Sequence, residues 1–394
     1  MATLLLVIIY AVFIGLGLPD SVFGAAWPAI YMEFSLPISY ANFITFTVSL
    51  GTILASFFAA KLINKFGTGL VTAISTSLSA LMLLGFSLSP SIWIMLALSL
   101  PLGMGAGAID SALNNFVATN YSPMQMNFLH CFYGVGVASS PLLMSFALGK
   151  NNDWRSGYFL VFIILSVIAI LSIIALPLWK KIKGKDEKEE KDSFVPKTLS
   201  LKKMAKMPAV RAGWIAFFCS IGLEFTCGIW GATFLVKAEN LTESVAASYL
   251  TLYYLGITLS RLVSGIVSKK LQPKNIVHFG HAIVFIAIVL LFLPLSPIAK
   301  GIALFLIGFG NGPTFPNLTY LTPINFGKEN SQSIVATQMA ACNIGILLLP
   351  PVFGLFADYI SIRLFPVFIG GLYLLMVIYT VLHLNRAAKL NKGI

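Results

Sequence analysis

Charged residues are scarce in this sequence: Asp, Glu, Lys and Arg make up 10% of the 394 residues, whereas 58% are hydrophobic. A soluble domain carries about 25% charged residues, so this chain cannot expose most of its surface to water. Nucleotide-binding loops, metal-ligand clusters and nucleophile–base arrangements are also lacking. The sequence therefore argues against an enzyme, and no cofactor and no metal site is expected.

Cysteine is also sparse, and the four cysteines fall within apolar runs rather than in loops. They are Cys131, Cys219, Cys227 and Cys342. Without paired CxxC spacing they predict neither a disulfide framework nor a zinc site, and we interpret them as small buried residues. The first apolar run lacks a basic leader and an A-x-A-like cleavage site, so it is predicted to be a membrane span rather than a signal peptide.

Apolar runs of about 20 residues, the length that crosses a bilayer, recur along the whole chain. Twelve spans are predicted, at 4–31, 40–63, 69–89, 92–120, 126–149, 157–179, 209–236, 245–269, 275–295, 299–322, 331–357 and 364–384. A polar stretch of mixed charge, 180–208, separates the sixth span from the seventh. The predicted domains are a six-helix bundle over 1–179, a cytoplasmic linker over 180–208 that includes some surface helix, and a six-helix bundle over 209–394.

Basic residues are distributed unequally between the loops on the two sides. With the N-terminus inside, 20 of the 26 Lys and Arg residues lie in cytoplasmic segments, five lie outside, and Arg261 lies within a span. Such an excess marks the cytoplasmic side. Both termini are thus predicted to be cytoplasmic, in a plasma or bacterial inner membrane. This distribution also accounts for the net charge of +12 without nucleic acid as a partner.

Four landmarks recur in the second half of the chain at a nearly constant offset. Asp20 and Glu224 are 204 residues apart, and Gly51 and Gly256 are 205 apart. The glycines of spans 4 and 10 repeat at 205, and the prolines of spans 5 and 11 at 209. Two parallel repeats of six helices are the layout of major facilitator transporters. The predicted fold class is an all-α integral membrane protein with twelve transmembrane helices in two pseudo-symmetric halves.

Three acids lie inside predicted spans, where a charge is expensive and functional by default. They are Asp20, Asp110 and Glu224. A carboxyl group in an apolar setting can take up a proton near neutral pH and so change charge between two conformations. We interpret these acids as proton- or cation-coupling residues; the alternative, static acids satisfied by polar neighbours, stays open. Arg261 in span 8 is expected to form a gating or structural ion pair.

Amides, one histidine and two tryptophans make up the predicted substrate-binding set. Amides and acids offer hydrogen bonds to hydroxyl groups, and an indole offers a flat face to C–H surfaces, so the set suits a neutral polyhydroxylated ligand. Its members are Trp27, Asn114, Asn115, His130, Trp230, Asn311, Gln338 and Asn343. Plainer roles are open for each: amides hold membrane helices together, and tryptophans anchor them at the interface.

Two consecutive runs, GMGAGAIDSALNNFV and MNFLHCFYGVGVASSPLL, resemble spans 4 and 5 of the fucose–galactose–glucose:cation symporter branch of the major facilitator superfamily. The segments GLEFTCGIWGATFL, GITLSRLVSG, GFGNGPTFPNLTYL and QMAACNIGILLLPPVFGLFAD resemble its spans 7, 8, 10 and 11. The resemblance implies sugar uptake driven by protons, or by sodium as in some relatives. Asp110 matches the span 4 acid of the branch, and Glu224 and Trp230 match the acid and tryptophan of span 7.

The sequence departs from the pattern of this branch at three places. Asp20 falls on the span that carries an acid in the fucose symporters, but the sequence around it matches less well. His130 stands where those symporters have a glutamine. The loop after span 2, usually glycine through Asp-Arg to glycine, is degenerate as AKLINKFG, and Asn64 in place of the acid weakens the charge latch of that loop.

The predicted function is import of a sugar-like solute together with a proton or sodium ion. The protein is expected to act as a monomer in the lipid bilayer, by alternating access between its two halves. A proton-coupled drug or metabolite exporter on the same fold is the main alternative. A membrane sensor that retains the fold is a third; it would tolerate loss of the central acids and carry a signalling domain.

Overall fold

The computed structural model describes residues 2–121, 123–151, 153–179, 199–268 and 270–392, and these residues form helices and short turns without a β-strand. Eleven stretches among them are long and apolar enough to cross a bilayer. The last of these, Ser333–Lys389, is 57 residues long and contains two helices, which brings the spans to the predicted twelve. The predicted fold class, an all-α membrane protein, is confirmed.

The first six spans correspond to six long helices. They are α1 (Ala2–Glu33), α2 (Ala41–Phe66), α3 (Thr68–Ser87), α4 (Ile92–Asn120), α5 (Pro123–Asn151) and α6 (Trp154–Ile174), followed by the short α7 (Leu176–Trp179). Helices satisfy all their backbone groups internally, which lipid demands of a spanning segment. The connection from α2 to α3 is a single residue, Gly67, whose φ of 80° is readily adopted only by glycine.

The remaining helices follow the polar stretch. They are α8 (Leu201–Lys206), α9 (Pro208–Glu239), α10 (Glu243–Val267), α11 (Pro273–Phe292), α12 (Pro297–Asn311), α13 (Thr314–Phe326), α14 (Lys328–Phe356) and α15 (Phe365–Lys392). Most of the predicted linker, 180–198, lies outside the described residues. Its C-terminal part contains α8, the surface helix that was expected there.

The tenth predicted span, 299–322, corresponds to one membrane-crossing stretch, Pro297–Phe326, which consists of two helices rather than one. It is divided into α12 and α13 by a break at Gly312 and Pro313. Proline has no N–H to continue the helical hydrogen bonds and its ring clashes with the preceding turn. Asn317 satisfies the carbonyl of Pro313 at this break, through both its backbone N–H and its side-chain amide.

The described residues pack as two compact units. Unit 1 consists of described residues from 1–191 together with Asn240–Thr251, which includes the N-terminal part of α10. Unit 2 consists of described residues from 192–239 and 252–394. Three serines explain why the start of α10 belongs to unit 1. The Ser145 hydroxyl donates to the Ser244 carbonyl (2.8 Å), the Ser244 hydroxyl donates to the Ser145 carbonyl (2.9 Å), and Ser248 lies 2.6 Å from the Ser145 hydroxyl.

Each unit has its own apolar core. In unit 1, α1, α4 and α5 meet at a buried cluster that includes Phe13, Leu113 and Leu129. In unit 2, α9, α11, α13 and α14 meet at a cluster around Phe217 and Leu318. Cys219, Cys227 and Cys342 are buried, as predicted, whereas Cys131 is half-buried.

Candidate functional site

The acid of α1 is held by a tyrosine of α5. These helices approach closely because Gly17 faces the Tyr133 carbonyl and Gly136 faces the Ile14 carbonyl, and a Cβ at either glycine would overlap that backbone. The close approach brings the Tyr133 hydroxyl to Asp20, and it donates a hydrogen bond of 2.6 Å to Oδ2. Asp20 is thus bound to a neutral donor.

The acid of α4 is also held by a neutral donor. Asn114, one helical turn after Asp110, donates from Nδ2 to Oδ1 of Asp110 at 2.8 Å and to its backbone carbonyl at 3.0 Å. Asp110 and Asp20 are near enough to interact electrostatically. The side chain of Asn115 lies outside the described residues. Unit 1 therefore brings together two acids that repel each other whenever both are ionised.

Both acids of unit 1 are exposed, although each lies well inside a helix long enough to span the membrane. An ionisable side chain at membrane depth faces a water-filled cavity or another protein group rather than lipid. His130, on α5 near Tyr133, is exposed as well, and its ring stands edge-on to Phe13 at 5.9 Å. No ion pair to Asp20 or Asp110 occurs among the residues whose side chains are described.

The acid of unit 2 has a different kind of partner. Arg261 on α10 places Nη2 3.1 Å from Oε1 and 3.2 Å from Oε2 of Glu224 on α9, and both side chains are largely buried. The Arg261 Nε also donates to the Gly312 carbonyl at the break between α12 and α13 (3.4 Å). The Tyr253 hydroxyl donates to the Glu224 backbone carbonyl (2.9 Å). Arg261 thus joins the acid to the broken span.

The three predicted amides of unit 2 have different surroundings. Asn311 is buried, and both ends of its amide are bonded to Ser220. Gln338 is buried and accepts a hydrogen bond from Thr322 (3.1 Å), while its Nε2 has no partner among the described residues. Asn343 is exposed. Gln338 and Asn343 therefore have amide groups free to bond a ligand, whereas the amide of Asn311 is used to hold α9 to α12.

Both predicted tryptophans are fully enclosed by protein. Trp27 donates from Nε1 to the Ile38 carbonyl (3.0 Å), and Trp230 donates to the Pro350 carbonyl (2.8 Å) and packs edge-on against Phe353. In this arrangement each indole ties one helix to another segment of its own unit. Contact of either ring with a ligand stays a prediction.

The hydroxyl partners of these side chains were not predicted from the sequence. Tyr133 follows His130 by three residues and so shares a helix face with it, which could have identified Tyr133 from the sequence. Nothing in the sequence around Ser220 or Thr322 points to their role as partners. Among the described residues, no group of three or more His, Cys, Asp or Glu side chains is arranged to hold a metal ion.

Residues 9–341 match the Major Facilitator Superfamily, which is most of the chain. The chain belongs to this family and is a multi-pass membrane transporter rather than an enzyme.

Curated relatives at low identity extend the comparison. The chain is 23% identical over 389 residues to bypass of stop codon protein 6 of Saccharomyces cerevisiae, covering 90% of this chain and 77% of that protein. It is 24% identical over 336 residues to the glucose/mannose transporter GlcP of Bacillus subtilis, covering 81% and 80%. A putative glucose/galactose transporter of Helicobacter pylori is 26% identical over 199 residues, covering 49% and 46%. The resemblance to the sugar symporter branch is consistent with the last two.

A solved structure supports the fold. The crystal structure of the nucleoside transporter NupG superimposes with a TM-score of 0.73 at 12% identity, covering 96% of this chain and 98% of the other.

Proposed function

We propose that this protein imports a sugar-like solute by proton symport through alternating access. One observation carries the proposal: unit 1 holds two exposed acids at membrane depth, Asp20 and Asp110, each bonded to a neutral donor and without a cationic partner among the described residues. Acids in this setting can bind a proton from water and lose it again, which coupling requires.

Asp110 is the proposed principal coupling residue. An ionised carboxylate that no cation neutralises is costly to carry through a closed, dry intermediate. Protonation removes that cost. The protein would then change conformation readily with the proton bound. Sodium would replace the proton only with additional oxygen ligands.

Glu224 has a different proposed part. Arg261 offsets the charge of Glu224 through their ion pair. The same arginine also reaches the broken span, because its Nε donates to the Gly312 carbonyl independently of the acid. We therefore assign Glu224 and Arg261 a joint role in coupling, in which making and breaking their ion pair controls whether α10 is tied to α9.

The substrate class rests on the polar set and on the named relatives. Two relatives are named for hexose transport. Asn114 in unit 1, and Gln338 and Asn343 in unit 2, offer the amide groups that hydroxyl groups of a sugar would bond. His130 is a further proposed contact. Asn115, Asn311, Trp27 and Trp230 complete the proposed substrate set.

The membrane placement is part of the proposal. The distribution of Lys and Arg supports cytoplasmic termini, so α8 and the linker would lie on the cytoplasmic side of a plasma or bacterial inner membrane. We propose a monomer, with the bundles of 1–179 and 209–394 as its domains.

The test is uptake of labelled hexoses into proteoliposomes under an imposed pH gradient, compared with an imposed sodium gradient. The parent should accumulate a hexose when the outside is acidic. Asp110→Asn should lose this accumulation and keep gradient-independent counterflow, because it still binds substrate and no longer exchanges a proton. Absence of any sugar binding or transport by the parent would exclude the sugar, and proton-driven efflux would assign the protein to the exporters.

A further inference from the structure

The short helix α8 is fastened to one end of unit 2. Met204 is 4% exposed and lies in a buried cluster with Ala209, Val210 and Ala387. This cluster joins α8 to the beginning of α9 and to the end of α15. The backbone N–H of Leu199 also donates to the Ser333 hydroxyl (3.1 Å), so the segment that enters α8 is bonded to α14. The position of α8 is thus defined by several contacts.

The two sides of α8 differ in chemistry. At 3.6 residues per turn, Leu201, Met204 and Ala205 share one side of the helix, and the opposite side is basic. Met204 covers unit 2, whereas Leu201 is 65% exposed. An apolar side chain that extends past the protein beside a basic face is the pattern of a helix lying in a membrane interface.

Exposed cations collect around α8. Arg386 Nη1 donates to the Pro208 carbonyl (3.2 Å), which places the basic end of α15 beside the start of α9. All members of this group are exposed, and we call them the α8 basic surface: Lys202, Lys203, Lys206, Arg211, Arg386 and Lys389.

The acids of unit 2 whose side chains are described do not neutralise this surface. Glu224 lies in the middle of α9 and is paired with Arg261, and Glu239 lies at the far end of α9 beside Lys300. Asp358 follows the C-terminus of α14, about 36 Å along the helix from Ile334, which is in the cluster under α8. As far as the described side chains go, the positive charge of the surface is therefore available to an anionic partner.

We propose that the α8 basic surface binds the headgroups of anionic phospholipids, with Leu201 entering the acyl region. The lysines on the basic side of α8 hold the phosphates, and the cations of α9 and α15 extend the surface along the membrane plane. Clusters of four to eight basic residues beside a transmembrane helix, or on an amphipathic helix, recognise anionic lipids in this way.

The test uses the full-length protein and native mass spectrometry with phosphatidylglycerol and phosphatidylcholine as the two probes. The parent should retain phosphatidylglycerol preferentially. K202Q/K203Q/K206Q should lower this retention about tenfold or more, because each lysine near a charged membrane contributes about fivefold. The control K65Q/K270Q/K274Q removes the same charge from exposed positions outside the surface and should retain the lipid like the parent. Equal loss in both triple variants would overturn the proposal, as would equal retention of the two lipids by the parent.

Two further measurements distinguish other occupants. Leu201→Ser should weaken lipid retention without a change in charge. A large excess of inorganic phosphate should leave the bound lipid in place. Complete displacement of the lipid by phosphate would mean that the surface binds anions in general rather than lipid. Replacing the acids of 186–192 by their amides should change lipid retention little. A several-fold rise in lipid binding would mean that this acidic segment occupies the surface instead.

Discussion

Arg261 and Glu224 are joined across α10 and α9 by an ion pair, with Nη2 of the arginine 3.1 and 3.2 Å from the two carboxylate oxygens. The acid at the corresponding place in the other half, Asp20, is bonded instead to the uncharged hydroxyl of Tyr133. Corresponding positions in the repeat therefore hold acids with different kinds of partner. Glu224 is paired with a cation, whereas Asp20 is bonded to an uncharged hydroxyl and has no ion pair among the described side chains.

Removing either member of the Arg261–Glu224 pair should destabilise unit 2. Arg261→Met leaves a largely buried carboxylate unpaired, and we expect a loss of about 3 kcal/mol, the lower end for buried pairs because both groups keep some contact with solvent. The double variant with Glu224→Gln should return to within about 1 kcal/mol of the parent. Unfolding in detergent measures this cycle.

The control for that cycle is the more exposed ion pair between Arg155 and Glu33. Glu33→Gln should cost less than about 1 kcal/mol. If the double variant of Arg261 and Glu224 is as unstable as the less stable of its two single variants, the ion pair does not contribute to stability as its geometry implies.

Tyr133→Phe should change the pH dependence of transport more than it changes folding. The variant removes the only donor to Asp20 that the described side chains provide and leaves the ring in place. Because the hydroxyl favours the ionised carboxylate, its loss should shift the pH profile of uptake toward alkaline values. The expected cost in stability is about 1.5–3 kcal/mol at most, the range for a hydrogen bond to a charged group.

Uptake measured across a pH series checks this prediction, with Tyr320→Phe as the control because Tyr320 is 62% exposed on α13. An unchanged pH profile in Tyr133→Phe would mean that Asp20 does not take part in coupling, which would then fall to Asp110.

Lys300→Met, near the start of α12, should destabilise unit 2. The residue is 4% exposed, and its Nζ donates to the carbonyls of Leu291 (2.6 Å) and Leu293 (2.9 Å) at the end of α11. It also lies 3.6 Å from Glu239. Because the substitution leaves these acceptors unpaired, we expect a loss of about 2–4 kcal/mol. Lys274→Met, at an exposed position, should be near neutral.

The helices could be predicted from the sequence because the bilayer sets their length and leaves the backbone no other partner. The prediction for span 4, 92–120, agrees with α4, and most other ends lie within three residues of the observed ones. The break in span 10 was not predicted, because proline alone does not mark a break here: Pro101 and Pro141 lie inside the uninterrupted helices α4 and α5.

The partners of the site residues could not be predicted in the same way. Whether Tyr133 meets Asp20, or Lys300 reaches the end of α11, depends on how each helix is rotated and how closely it approaches its neighbour. Hydropathy predicts little about the rotation of a helix, because most helices here are apolar on every side. The glycines predict part of the packing, since they mark where two backbones touch.

Substituting alanine for glycine at these contacts should test the packing of both halves with one experiment. Gly103 on α4 faces the Val48 backbone of α2, and Gly308 on α12 faces the Tyr253 backbone of α10; a Cβ at either would overlap a carbonyl group. Backbone cannot move aside as a side chain can, so each alanine should separate the two helices. Overpacking of this kind costs about 1–3 kcal/mol.

Two other helical glycines provide the matched controls. A Cβ at Gly265 or Gly371 meets nothing within 4 Å. Alanine there should be neutral or stabilise by up to about 1 kcal/mol, since it favours the helix over glycine. Thermal unfolding of the four variants in one detergent makes the comparison, and transport should fall with Gly103→Ala and Gly308→Ala alone. Because these two positions are 205 residues apart, similar losses would mean that the repeat preserves the same helix contact in both halves, and a loss at only one of them would restrict that contact to its own half.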